Sequence, residues 1–403
     1  MSKPSASSQS WQTPVTTGPE PVVTAPAELV VSRLRRAPGL VLGIALLVAL
    51  LANIGMGAVS VTPMQIMVIV GRHLDAIVAG LPALGPLWLE VSSTSFVASF
   101  ADWVSSRPDA MVTRQQDSVV WAIRIPRTLL GLFIGAGLGV SGAAMQGMFR
   151  NPLADPGLIG VSTGAAFGAV LAIVLDVSLF GIWTLPIFAF TSGLIGTVIV
   201  YLIARHDGRT EVITLLLAVI ALNAIAGAAV GLLISIANDQ QLRSVTFWTL
   251  GSLGGSRWSH VGIVGIVTVV GVIIVLGCRK TLNLFVLGER EARHLGVNVE
   301  LMRGVLILVT AAMTGVAVAF AGAIGFVGLV VPHLIRLWLG PDHTHVIPLS
   351  ALGGATLLLL ADLVSRTAAA PSEFPIGVTM SLVGGPFFIW LLLRTRREHG
   401  GWG

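Results

Sequence analysis

A chain of 403 residues with 54% hydrophobic and only 11% charged side chains lies far outside the soluble range, in which about a quarter of residues are charged. The formal charge of +5 comes from 24 cations against 19 acids, and the cations gather at the ends of apolar runs, which describes a membrane topology and excludes a nucleic-acid surface. The single Cys278 excludes an intrachain disulfide framework and a cysteine metal cluster. Neither lysine, Lys3 or Lys280, stands in the Gly-Lys-Ser/Thr context of a phosphate-binding loop, so ATP-driven work would need an ATPase on another subunit.

Residues 1–37, rich in Ser, Thr, Pro and Gln, read as a disordered cytoplasmic tail. The first apolar run, 40–60, follows Arg33, Arg35 and Arg36, which place the N-terminus in the cytoplasm; its length suits a retained span better than a cleaved signal. Further runs cover 128–149, 157–177, 179–203, 212–236, 258–277, 303–322, 323–339, 346–364 and 375–393, for ten crossings in all. The run 323–339 is the least regular, because it holds Pro332, His333 and Arg336. An even count returns Arg394, Arg396, Arg397 and the tail 398–403 to the cytoplasm. Arg150, the pair Arg205 and Arg209, and the group Arg279, Lys280, Arg290 and Arg293 then all lie on the inner side, as the positive-inside rule requires. The expectation is an all-α polytopic membrane protein with about ten transmembrane helices in one domain, 38–397. The segment 61–123 forms a long external loop with room for a short interfacial helix.

Three stretches carry more than topology. In RIPRTLLGLFIGAGLGVSGAAMQGMFRNPLADPG, Arg124 to Gly157, small residues recur at Gly131, Gly135, Gly137, Gly139, Gly142 and Ala143. They occupy more than one face, so this helix is surrounded by protein, whose backbones approach it closely. The island RKTLNLFVLGEREARHLGVNVELMR, 279–303, is polar between two apolar runs. Gly288 and Gly296 bracket a short helix from Glu289 to Leu295 that would transmit a push from a soluble partner, or else serve as a solvated connection. Asp362 lies inside an apolar run, a functional hypothesis by default. With every other acid in a loop, a hydrogen-bonding role suits it better than a proton relay. His343 and His345 are paired without a third ligand in view, so no metal site is expected.

LGEREARHLGV, together with RIPRTLLG, SGAAMQGMFRNPLADPGLIGVSTGAAFGA, AGAIGFVGLVVPHLIRLWLGPDH, LLLLADLVSR and EFPIGVTMSLVGGPFFIWLL in that order, resembles the permease subunits of ABC importers for vitamin B12, iron-siderophores and haem, the type II importers. The resemblance covers residues 38 to 397. It implies a B12-importer-permease-like fold and a homodimer in the cell membrane with the path along its axis. Two ABC ATPase subunits, which bind ATP and Mg, would sit below, and an external substrate-binding protein would dock above. No cofactor is bound by this chain and no bond chemistry occurs in it. The ATPase-coupling helix matches Leu287, Gly288, Glu289, Ala292, Leu295, Gly296 and Val297. Arg124, Arg127 and Arg366 match arginines that pair with glutamates of the binding protein; they stand on the outer face, where the alternative is snorkelling to headgroups. Asn151 and Leu153 match the inner gate. In the facing segment VITLLLAVIAL, Thr214 replaces a charged residue and Val219 a glycine, a departure in the gate's polarity and closeness.

For cargo, LRSVTFWTLGSLGGSRW, Leu242 to Trp258, resembles the haem branch more than the others. Phe247 and Trp248 would offer a porphyrin flat apolar surface, or else act as packing and interfacial anchors. His260, near the outer mouth, is the candidate haem ligand. The expectation is a haem importer permease for iron uptake, with ferric siderophore or cobalamin as alternative cargo and a proton-coupled carrier as the rival from another class.

Overall fold

The structure, a computed structural model, describes residues 26–57, 59–79, 112–207, 209–369 and 372–398. The chain divides into two compact units at Leu40, and the core and sites below lie within the second, Val41–Gly403. The elements are α1 (Pro26–Gly55), α2 (Pro63–Ala79), α3 (Arg114–Ser118), which runs on as a π-helical turn Val119–Arg124, α4 (Ile125–Met148), α5 (Val161–Val174), α6 (Thr184–Ala204), α7 (Val212–Ser235) and α8 (Asp239–Leu250). They continue as α9 (Trp258–Gly277), α10 (Arg279–Leu287), α11 (Glu289–His294), α12 (Val299–Ala321), α13 (Val327–Leu339), α14 (His343–Thr367) and α15 (Ile376–Glu398). Between α6 and α7 a two-residue antiparallel hairpin pairs Arg205 with Thr210 and His206 with Arg209.

Among the described residues, seven helical stretches are long and apolar enough to cross a membrane, and three shorter apolar helices, Val161–Val174, Val327–Leu339 and Ile376–Leu391, occupy the remaining expected runs. The short ones are cut by local chemistry. Pro156 opens a 3-10 turn that ends at Gly160, with φ +79°, before α5 begins. Gly322 at φ +72° and Phe326 at φ +68° break the chain between α12 and α13, which the apolar pattern alone reads as nearly continuous. The first helix begins at Pro26, inside the stretch read as a disordered tail; residues 1–25 lie outside the described residues, as do 399–403 at the other end. The segment 61–123, expected to be an external loop, contains α2 and the α3–π turn, and its 80–111 lies outside the described residues.

α4 is the axle of the bundle. Its most apolar stretch is 83% buried, against 17% for that of α7, which turns Ile213, Leu217 and Ile220 outward. It packs on α14, α9, α12 and α13. A Cβ at Gly135 would fall on the Gly354 carbonyl and one at Gly139 on the Ser350 carbonyl, both on α14, while one at Gly142 would fall on the Gly328 carbonyl of α13. Small residues on several faces therefore do what the sequence implies, since without a strong hydrophobic drive between helices backbone contact carries the packing. Gly142→Ala is expected to cost about 1–3 kcal/mol by overpacking and to lower the thermal unfolding midpoint in detergent. Gly262→Ala on α9, whose Cβ meets nothing within 4 Å, is the control that should not fall. Equal midpoints would contradict the close approach.

Candidate functional site

At the end of the bundle where α4 starts, the three arginines singled out in the sequence come together with two acids. Arg124 ends the π-helical turn and is 5% exposed. Its Nη1 donates to the carbonyls of Ile54 and Gly55, both at 2.9 Å, and its Nη2 to that of Val59. A cation thus satisfies carbonyls at the C-terminus of α1, where the helix presents partial negative charge. Arg127 grips Glu373 through two parallel bonds of 2.9 and 3.0 Å, and its Nε donates to Asp362 Oδ1 at 3.0 Å. Arg366 donates to the carbonyls of Met56 at 2.8 Å and Asn53 at 2.5 Å, with its Nε 3.6 Å from Asp362 Oδ2. Asn53 completes the joint by donating to the carbonyls of Ala49 and Leu359, both at 2.9 Å. All three guanidinium groups therefore point inward and are held by their own chain. Glu373 is the one member that reaches well into solvent, with its side chain 46% exposed. Asp362, 1% exposed, is enclosed by two cations.

At the same end, Phe247, Trp248 and His260 line one cavity of about 340 Å³ with Leu185 and Phe320. The His260 ring lies 4.9 Å from that of Phe320 and 5.5 Å from that of Trp183, and its buried Nδ1 has no hydrogen-bond partner. Phe247 is 67% exposed. α8 holds this edge through a capping box in which Asn238 and Gln241 satisfy each other's backbone N–H groups. The sequence picked out three of the wall residues; Leu185 and Phe320 come from other helices and carry no local signal.

At the opposite end, Asn151 and Leu153 share one Asx turn, in which the Leu153 N–H donates to Asn151 Oδ1 at 2.9 Å. Thr214 of the facing segment bonds to Glu211 at 2.8 Å, and Val219 is buried in the core. The segment expected to couple to an ATPase contains a short helix, α11, set off by Gly288 at φ +123° and Gly296 at φ +83°. It closes as a Schellman motif: Gly296 N–H donates to the Arg293 carbonyl and Val297 N–H to the Ala292 carbonyl, each at 3.0 Å. Ala292 is fully buried, while Leu287 and Leu295 are each 61% exposed among charged neighbours. Beneath it, Arg303 is 1% exposed and binds three elements at once. It donates to Glu289 of α11, to Glu300 at 3.2 Å, and to the Thr210 carbonyl of the hairpin at 2.9 Å. Asp342 caps α14, and the Thr344 N–H it accepts at 2.9 Å, with Asn283 beside it, holds its carboxyl down to about 2. Among the described residues no group of three His, Cys, Asp or Glu side chains is placed to hold a metal ion.

Sequence reading missed Arg303 and Glu373 as site members. Arg303 had a weak signal, as a cation on the first residue of an apolar run, but nothing in the chain names its partners.

A glycine-packed bundle of apolar helices, charged only at its ends and carrying a short polar helix on one face, is the build of a multi-pass transport permease. The chain belongs to the FecCD transport family, whose model matches residues 44–394, and is the membrane-spanning, non-catalytic permease component of an ABC importer. It is 46% identical over 303 residues to the hemin transport system permease protein HmuU of Yersinia pestis, covering 74% of this chain and 89% of that one. It is 44% identical over 274 residues to the cobalamin import system permease protein BtuC of Halobacterium salinarum, covering 68% and 73%. Against the vitamin B12 import system permease protein BtuC of Escherichia coli it is 43% identical over 296 residues, covering 73% and 89%. A solved inward-facing structure of a transporter assigned to the metal-chelate ABC type superposes with a TM-score of 0.70 at 30% identity, covering 88% of this chain and 97% of that one.

The outer cluster predicts an asymmetry. Asp362→Asn would leave Arg127 and Arg366 buried without a full counter-charge and is expected to cost about 3–5 kcal/mol, read as loss of folded yield and of unfolding midpoint. Glu373→Gln, on the exposed side, is expected to cost about 1 kcal/mol or less. Similar losses from both would refute the assignment of Asp362 as the buried anchor.

Proposed function

We propose that this permease forms, as a homodimer, the membrane path of an importer for haem, with both termini in the cytoplasm. Two ABC ATPase subunits would press on the coupling segments and a haem-loaded binding protein would dock at the outer end. The observation that carries the cargo reading is the aromatic cavity of Phe247, Trp248 and Phe320 with the unpartnered His260 Nδ1. A flat, largely apolar macrocycle suits that wall, and His260 is the group that would meet its iron. The likeness to a hemin permease supports the same cargo. Cobalamin is the second reading, favoured by two permeases of cobalamin importers at nearly the same identity. A proton-coupled carrier loses its main residue, because Asp362 is held in an internal ion pair.

The ATPase contact is read from Leu287 and Leu295, two bare leucines beside the charged face of α11, with Gly288, Glu289, Ala292, Gly296 and Val297 fixing its shape. Asn151 and Leu153 act as the inner gate. Docking through Arg124, Arg127 and Arg366 requires a guanidinium to exchange an internal partner for a carboxylate of the binding protein. Arg127 has a solvent-reaching carboxylate to exchange, Glu373.

ATP hydrolysis by the complex in nanodiscs, with its ATPase and binding protein, tests the cargo. Stimulation by the haem-loaded protein is expected; stimulation by cyanocobalamin or a ferric siderophore alone would replace the cargo and keep the machine. Glu373→Gln should tighten docking of the binding protein about two- to tenfold at low salt, less at high salt. Unchanged affinity at both would confine Arg127 to structure.

A further inference from the structure

The cytoplasmic ends of α4, α13 and α14 meet α10 in a buried polar chain that neither the gate turn nor the coupling face explains. It starts at Asn283 on α10, the helix that runs through Gly288 into α11. Asn283 Oδ1 accepts from the His343 backbone N–H and from His343 Nδ1, both at 2.8 Å, and Asn283 Nδ2 donates to Asp342 Oδ1 at 2.7 Å. An acceptor at Nδ1 fixes the ring proton there, so the Nε2 lone pair of His343 is left to accept from Arg336 Nη2 at 3.3 Å. Arg336 also donates to Gln146 Oε1 and, at 3.0 Å, to the Ala143 carbonyl, both on α4. Gln146 gives its amide hydrogens to the carbonyls of Gly328 and Leu329 at 3.2 and 3.1 Å. Its own backbone carbonyl accepts the Asn151 N–H at 3.2 Å, so the gate turn hangs from the residue where the chain of bonds ends.

His343 is 1% and Gln146 3% exposed, so water does not compete for these links and breaking one leaves a buried polar group unsatisfied. The ring also presses on the last turn of α4, since a Cβ on Gly147 would fall on His343 Nε2. Beside it lies a cavity of about 190 Å³ lined by Gly147, Arg150, Pro152, Val286, Arg336 and His343, which gives the turn room to shift. Directional donor–acceptor pairs differ from apolar contacts in having made and broken states, and so can pass a displacement on in discrete form.

We propose that His343 is a positioning residue that transmits displacement of the coupling segment to the inner gate, through Asn283 on one side and Arg336 and Gln146 on the other. This rests on the reading of α11 as the ATPase contact and of the Asn151 turn as the gate. His343→Asn keeps an amide N–H where Nδ1 stands and removes the acceptor facing Arg336; His343→Gln does the reverse. Asn283→Ala cuts the first link at a partly exposed position and leaves no buried charge unpaired. Haem uptake and ATP hydrolysis are measured in the same proteoliposomes of the full complex supplied with haem-loaded binding protein. ATP hydrolysis within about twofold of wild type with uptake per ATP about tenfold lower is expected for all three variants. A purely structural role would lower both rates together, and an unchanged uptake-to-ATP ratio in Asn283→Ala overturns the proposal. Wild-type complex that hydrolyses ATP without haem uptake would instead overturn the haem reading; the same ratio is then read with cyanocobalamin.

Discussion

The backbone contact of α4 with its neighbours is the constraint on which the rest of the molecule depends. Within a bilayer, apolar side chains gain little by leaving lipid for protein, so helices hold together through shape and backbone proximity. Gly135, Gly139 and Gly142 let α14 and α13 lie directly on α4. Once those three helices are fixed, the Asn151 turn, the start of α14 and the arginines at the start of α4 have fixed places too. The functional features at both ends of the bundle are thus set by one glycine-lined axle.

Charge serves the same end in two different ways. At the end where α4 starts, Arg124 and Arg366 satisfy carbonyls near the end of α1 while Arg127 and Asp362 neutralise each other, so the helix termini are sewn together. At the opposite end, Arg303 holds α11, α12 and the hairpin on one guanidinium. Arginine suits both positions because its planar fork serves several acceptors at fixed angles and keeps its charge when buried.

The positions of the apolar helices and the two-faced packing of α4 were legible because both are written in local pattern: run length, end charges and recurring small residues. The short helix α11 was legible for the same reason, bracketed by two glycines that need positive φ. The inward turn of the three arginines was not, since a cation at the end of an apolar run looks the same whether it faces lipid headgroups, a partner or a carboxylate far along the chain. Nor were the short lengths of α5 and α13, which depend on Gly160, Gly322 and Phe326 leaving helical geometry within apolar sequence. The network through His343 escaped for a further reason. A histidine pair after a Gly-Pro-Asp turn lacks a third metal ligand, and nothing local in the sequence names Asn283 and Arg336, which take up both ring nitrogens of His343.

The outer ion pair also bears on the order in which the protein is made. Arg127 and Asp362 are 235 residues apart, so synthesis places α4 in the membrane long before its counter-charge exists. An arginine in the middle of α4 would spend that interval in hydrocarbon; one in its first turn waits at the water boundary, where the cost is small. Closure of the pair is then among the last events of assembly, possible only after α14 has inserted. The buried salt bridge serves as a record that α14 has taken its place against α4.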